Sequence, residues 1–258
     1  MNSSQHKRRY NWIPDLPDPR DYLFSTVRPV AKLKKRIPSQ VDLRSQCSPV
    51  EDQGHIGSCT ANALVGALEF LELKENDPFV EFSRLFIYYN ERALNGNINQ
   101  DSGASLRDGI KVLNQLGACS EGVWPYRQSL VFKKPTAKAY KQALDHQILT
   151  YHRLSALDEM RVCLSLGYPF VFGFSVFSGF ESREVAQSGI LNMPKSEESF
   201  LGGHAVMAIG YDDSTKRLLV RNSWGNRWGM QGYFTMPYAY VESGRLSDDF
   251  WTISKVEE

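Results

Sequence analysis

Four cysteines in 258 residues are too few for a scaffold built from disulfides, so an apolar core has to hold this chain together. No two cysteines or histidines stand at close ligand spacing. His6, His55, His146, His152 and His204 are scattered, which disfavours a structural zinc, and neither metal nor other cofactor is expected. An excess of one charge is also missing. Thirty basic against twenty-nine acidic side chains leave a formal +1, without the basic footprint that a phosphate backbone requires, so nucleic acid is not an expected partner. Nowhere does the sequence approach the ~20 consecutive apolar residues of a membrane span, and no membrane partner is expected. The start, Met1 to Tyr10, is polar and basic with no apolar run behind it, so no signal peptide is recognised. That leaves a cytoplasmic location or export by a signal-independent route. Internal repeats and low-complexity tracts are absent.

What is present is core-forming material: 42% hydrophobic and 12% aromatic residues fit one large domain or two halves packed across a cleft. Residues 1–37 stand apart. W-I-P-D-L-P-D-P-R-D-Y is proline-spaced and extended, and K-L-K-K-R (Lys32 to Arg36) is a basic run before Ile37 and Pro38. This stretch is read as an N-terminal extension outside the core, too short to fold alone. From Ser58 the pattern turns helical, with Ala61, Leu64, Val65, Leu68 and Leu71 at spacings of three and four and Ser58 in the N-cap position. Further helices are expected at about 83–95 and 105–116, the second capped by Ser105 and closed by Gly117. After about residue 168 the texture becomes short strands: Pro169–Val176, His204–Tyr211, Arg217–Asn222, Tyr233–Met236 and Phe250–Ser254. Ser178 to Gly203 reads as an irregular loop near the cleft. Helices followed by strands imply an α+β protein with a cleft where an N-terminal helical half meets a C-terminal antiparallel β half.

Three distant stretches carry chemistry. Q-G-H-I-G-S-C-T-A-N-A puts Cys59 at a helix N-terminus, six positions after Gln53; G-G-H-A-V-M-A-I-G-Y surrounds His204; N-S-W-G-N-R-W-G-M-Q-G-Y begins at Asn222. A thiol attacks as thiolate, and its pKa of ~8.5 falls at a helix N-terminus or beside an imidazolium. His204, brought across the cleft, would complete that ion pair and then protonate the leaving amine. The Cys59 backbone N–H and the Gln53 amide are candidate donors to the oxyanion, and Asn222 would fix the tautomer and angle of His204. Trp224, on the same strand face, would shield that bond. Singly, a cysteine in an apolar helix is most often packing and a histidine opening a strand is most often structural. Gly54, Gly57 and Ser58 around Cys59 are poor core fillers, and it is the joint order Cys, His, Asn that singles these residues out.

The three stretches resemble the papain family of cysteine proteases, over about Pro38 to Met236. The separation of Cys59 and His204 falls within the roughly 130–150 residues of that type. P-S-Q-V-D-L-R-S-Q-C-S-P-V-E-D-Q-G-H-I-G-S-C is similar to the family's mature start and nucleophile segment. The resemblance implies a papain-like two-subdomain fold, with Gln53 as oxyanion glutamine, Cys59 as nucleophile, His204 as acid/base and Asn222 as orienting residue. Two positions depart: Ile56 stands where the family has a disulfide cysteine, and Thr60 where a bulky aromatic follows the nucleophile. By the same resemblance Gly103 pairs with substrate backbone, Gly173 and Ala205 line a roomy pocket for a large apolar side chain, and Trp224 borders the cleft. The long helical propeptide of eukaryotic members is missing, as in the bacterial xylellain-like branch, whose short N-terminal segment covers the cleft. Residues 1–37, Trp12 to Tyr22 above all, are therefore expected to act as an intramolecular inhibitor, and K-L-K-K-R is either where they are cut or a linker. The expected protein is a monomeric, latent endopeptidase acting on protein or peptide substrates through a thioester. A thiol amidase or acyltransferase on the same fold, or a catalytically silent binding protein, are the competing readings. Of the cysteines, Cys47 with Cys119 is the pair to test for a bridge, against all three others remaining small buried thiols.

Overall fold

The computed structural model describes residues 8–254; residues 1–7 and 255–258 lie outside the described residues, and with them most of the polar, basic start and His6. In chain order the elements are α1 (Phe24–Val27), α2 (Val30–Leu33), β1 (Gln40–Asp42), α3 (Cys59–Lys74), α4 (Arg84–Leu94), α5 (Leu106–Gln115), α6 (Ala137–Ala143), β2 (Thr150–Arg153), α7 (Leu157–Ser165), β3 (Phe170–Phe177), α8 (Arg183–Ser188), β4 (Phe200–Asp212), β5 (Arg217–Arg221), β6 (Tyr233–Pro237), α9 (Tyr238–Glu242) and β7 (Ser247–Ser254).

Helix α3 is covered all the way round: every residue from Cys59 to Glu72 is buried, Asn62, Glu69 and Glu72 included. A helix of that kind belongs in the middle of a fold. It packs on α4 and α5 on one side and on β4 on the other, which makes it the seam between the two halves. The helices flanking it start as their sequences require: the Ser83 hydroxyl accepts from Phe86 N at 3.1 Å and Ser105 from Asp108 N at 3.2 Å. Ser58 does not cap in this way. Its backbone sits at φ −97°, ψ 30°, outside the extended region that aims a cap at the first turn, and its hydroxyl instead pairs with Tyr126 Oη at 2.7 Å and accepts from Asn62 Nδ2 at 3.0 Å.

The sheet runs β2-β7-β3-β4-β5-β6, every neighbouring pair antiparallel, and β1 pairs with Asp212, Tyr211 and Gly210 at the far end of β4. Its inner face is aromatic: Phe172 stacks on Phe250 with centroids 5.5 Å apart, and Phe174 meets Phe180 at 5.3 Å. Each phenylalanine buried this way contributes about 1.5–3 kcal/mol relative to exposure.

Several expectations change. Ser178 to Gly203 is not a loop throughout: it holds a 3-10 turn at Ser178–Glu181, helix α8 and the start of β4, because the ladder continues past Gly202 and Gly203 until Phe177 faces Phe200 across a bulge. Strands β1 and β2 and helix α7 go unannounced in the sequence; QVD and TYHR are too short and polar to show alternation. The extension is not outside the core, since Trp12 and Phe24 are buried within it. All four cysteines are free thiols: Cys47 lies beside Arg221 and Tyr233 at the sheet, whereas Cys119 lies beside Ser83 in the helical half, so the bridge does not form. Among the described residues no helix is long and apolar enough to cross a membrane and no side-chain cluster fits a metal ion.

Candidate active site

Cys59 is the first residue of α3, fully buried, and its thiol is faced by backbone N–H groups of Thr60, Ala205 and Asn11. Ala205 follows His204 in β4, so the residue whose N–H faces the thiol is the histidine's neighbour along the strand, while His204 Nδ1 itself makes no hydrogen bond to the sulfur. Gln53 is buried a turn before the helix. Its Oε1 accepts from the Ser223 hydroxyl at 2.6 Å, its Nε2 donates to Ile56 O at 3.0 Å, and its backbone N–H donates to Ser223 O at 2.9 Å. These bonds tie the loop before Cys59 to the chain just after Asn222.

His204 Nε2 lies 2.8 Å from Asn222 Oδ1. The same Oδ1 accepts from the Ser223 backbone N–H at 2.9 Å, so it is an acceptor and Nε2 must be the donor. The proton of the neutral ring therefore sits on Nε2, and Nδ1 is left free of it. Nδ1 is buried and has no hydrogen-bond partner among the described residues. Trp224 lies over the ring at 5.3 Å with planes 30° apart, but from the turn beyond β5 and not from the strand itself. Phe174 at 5.8 Å and Phe180 at 6.4 Å complete the enclosure on the sheet side.

The fourth wall comes from the N-terminal segment, which runs along the cleft. Tyr10 meets His204 edge-on, Arg8 lies 4.2 Å above the Trp224 ring, and Arg9 pairs with Asp101 at 2.8 Å. Trp12 N donates to Gly203 O at 2.9 Å and Ile13 N to Ala104 O at 3.0 Å, while Ala104 N donates to Asn11 O at 3.3 Å. The segment is thus strapped to the sheet on one side and to the helical half on the other, parallel to both. Covered in this way, the two groups do not form the ion pair expected from sequence. Burial pushes the Cys59 thiol up to about 11 despite the helix N-terminus, and burial together with nearby Arg8 brings the His204 imidazole down to about 4. Both shifts favour the neutral forms beneath the segment.

Gly103 does not itself make the backbone pairing with the segment. Its N–H is taken by Tyr88 Oη at 3.1 Å, and the backbone pairing with the segment falls to Ala104, one residue on. What Gly103 supplies is room: at φ +77° with an ideal Cβ only 1.8 Å from Asn11 O, no other residue fits there. Gly173 and Ala205 are paired across β3 and β4, and the Trp12 indole rests on Gly173, 1.9 Å from where a Cβ would stand. Ile56 is buried, and the Thr60 hydroxyl donates to Glu91 at 2.8 Å. Tyr10, Asn11, Ala104 and Asp249 escape the sequence reading. Asp249 accepts from the Trp12 indole N–H at 3.1 Å, but nothing within S-D-D-F marks it out.

The description "Papain family cysteine protease" matches residues 37–249. Over the whole chain the sequence is 40% identical to the uncharacterized peptidase C1-like protein L477 of Acanthamoeba polyphaga mimivirus, covering 90% of that protein. It is 30% identical to oryzain gamma chain of Oryza sativa subsp. japonica over 78% of this chain, which spans 55% of that longer protein. The crystal structure of xylellain, a cysteine protease from Xylella fastidiosa, superposes with a TM-score of 0.91 at 42% identity, over 97% of this chain and 99% of xylellain. A helix-borne thiol across a cleft from a sheet-borne imidazole, the matched residues and these likenesses agree, and the chain belongs to the papain family of cysteine proteases, as a papain-like peptidase of α+β fold.

Proposed function

We propose that this peptidase is an endopeptidase with Cys59 as nucleophile and His204 as acid and base, held latent by residues 1–37. The observation that carries the reading is the proton-free Nδ1 of His204, buried and unpartnered beside a strand residue whose N–H faces the Cys59 sulfur. When water and substrate replace the segment, the burial that separates the two pKa values is relieved. The thiol proton then passes to Nδ1 while Nε2 stays bonded to Asn222. The thiolate adds to the carbonyl carbon, and the oxyanion is met by the Cys59 N–H and a Gln53 amide hydrogen. Collapse breaks the C–N bond as Nδ1 returns its proton to the leaving amine, leaving a thioester that water hydrolyses with His204 as base. Trp224 shields the His204–Asn222 bond. Gly103, Gly173 and Ala205 leave space for the substrate chain.

Latency follows from what the segment presents. The strap fills the cleft, with the Asn11 N–H facing the sulfur, and so keeps substrate from the thiol.

The test is hydrolysis of an unstructured polypeptide followed by mass spectrometry in water enriched in oxygen-18. Internal cleavage with label in the new carboxyl groups, absent in Cys59→Ala, is the expected result. Amine adducts in place of new carboxyls would indicate an acyltransferase, and no chemistry even after deletion of residues 1–37 would indicate a silent binding protein. Turnover of a small peptide unchanged by that deletion would show that the segment is not inhibitory.

A further inference from the structure

The indole of Trp12 is held in a pocket that has a carboxylate at its end. Its flat faces rest against Gly173 and Gly203, where ideal Cβ atoms would stand 1.9 and 2.7 Å from ring atoms. Its N–H reaches Asp249 Oδ2 at 3.1 Å, and the only other donor to that oxygen recorded among the described residues is Asp15 N at 2.8 Å. Both donors belong to the N-terminal segment. Asp249 is fully buried, and its second oxygen Oδ1 is engaged by Arg153 at 3.2 Å. When the segment leaves, Oδ2 loses both donors and becomes an acceptor at the end of the space that the indole held. An acceptor stranded in that way has to be matched by whatever fills the pocket, and a side chain without a donor leaves it unpaired.

We infer that Asp249 is a specificity-determining residue, and that the pocket selects substrates carrying tryptophan next to the residue whose carbonyl is attacked. This rests on the endopeptidase reading above. The position follows from the strap, where Asn11 faces the sulfur and Trp12 is its neighbour. The sequence reading foresaw a roomy apolar pocket from Gly173 and Ala205; the carboxylate at its end adds a requirement for an N–H. A cation is a poorer match. Arg153 already pairs with Asp248 at 2.8 Å and Asp249 at 3.2 Å, and Arg107 and Arg153 both lose Asp21 when the segment departs. Arg153, released from Asp21, then holds both Asp248 and Asp249, so an entering cation meets a guanidinium already in place.

The experiment measures kcat/KM of the full-length chain on peptides that differ only in that one side chain: tryptophan, phenylalanine, leucine or arginine. The fraction of molecules with the cleft open is common to all four and cancels in the ratios. Tryptophan is expected to exceed phenylalanine by about ten-fold, the worth of a hydrogen bond to a buried carboxylate. In Asp249→Asn the ratio is expected to fall close to one. Asparagine tolerates the φ of +57° at this position, and with Arg153 claiming its carbonyl oxygen it turns an N–H toward the indole. A wild-type ratio near one, a ratio unmoved in Asp249→Asn, or arginine as the best substrate would each overturn the inference. If no peptide is cut even after deletion of residues 1–37, the endopeptidase reading fails, and the pocket is judged by alkylation of Cys59 instead. Trp12→Phe in the full chain is expected to speed alkylation about ten-fold, with no further gain when added to Asp249→Asn. An unchanged rate in Trp12→Phe contradicts the proposal.

Discussion

Tyr10 meets the ring of His204 edge-on, with centroids 6.1 Å apart and planes at 84°, so the segment that covers the cleft also closes the histidine's enclosure. The same tyrosine donates to Glu181 at 2.5 Å, which anchors the cover to the rim of the sheet. Losing either contact admits water to His204. Tyr10→Ala is expected to raise the alkylation rate of Cys59 in the full chain several-fold, read by mass spectrometry of the Cys59 peptide. A rate equal to wild type would mean that Tyr10 is not part of the barrier.

Closure of the cleft by the segment is expected to respond to pH in two opposing directions. His204 is held at about 4 against an ordinary 6.5, so its contribution to closure is complete above 6.5 and is lost as pH falls toward 4. Asp249 is pushed up to about 7 by burial beside Asp15, so closure gains as pH falls and loses as pH rises toward 7. Removing the second group leaves the first unopposed. Asp249→Asn is therefore expected to lose hydrogen-exchange protection at the Trp12 and Ile13 amides more steeply than wild type between pH 6.5 and 4. Parallel profiles would refute the assignment.

Gly173→Ala sets a methyl group 1.9 Å from the Trp12 ring and needs no change of backbone region. The indole must leave its pocket while the antiparallel ladder around residue 173 persists. The expected outcome is at least ten-fold faster alkylation of Cys59 with the circular dichroism of the wild type. Slow alkylation with Trp12 still protected would place the strap's hold elsewhere.

Two buried carboxyls tie stability to pH. Burial pushes Glu91 to about 8 and Glu69 to about 7 from an ordinary 4.5, and Glu91 Oε1 has no hydrogen-bond partner among the described residues. A raised folded-state pKa means stability that is full below 4.5 and lost as pH rises through the folded value. Each contributes a loss approaching about 1.4 kcal/mol per pH unit over its window. Urea unfolding at pH 5 and pH 8 is expected to show the lower stability at pH 8, with Glu91→Gln narrowing the gap.

The stretches around Cys59, His204 and Asn222 stood out because their signals are local: glycines before a helix start, a histidine opening an apolar strand, an asparagine ahead of a tryptophan. The α+β architecture was legible for a related reason, since α3 repeats apolar residues at spacings of three and four and β3 is a short aromatic and β-branched run. What the sequence concealed depends on long-range approach. Asp249 and Trp12 stand at opposite ends of the chain, and Ala104 replaces Gly103 as the pairing residue only because the glycine's own N–H is taken by Tyr88. The protonation state was concealed too. A helix N-terminus argues for a thiolate, and only the packed segment shows that burial outweighs it.

The most direct test compares alkylation by an epoxysuccinyl peptide in the wild-type chain and in His204→Ala, with the adduct located by mass spectrometry. One adduct is expected, at Cys59, forming at least a hundred-fold more slowly without the imidazole. Equal rates in the two proteins, or an adduct on Cys47 with Cys59 untouched, would contradict the pairing of this thiol with this histidine.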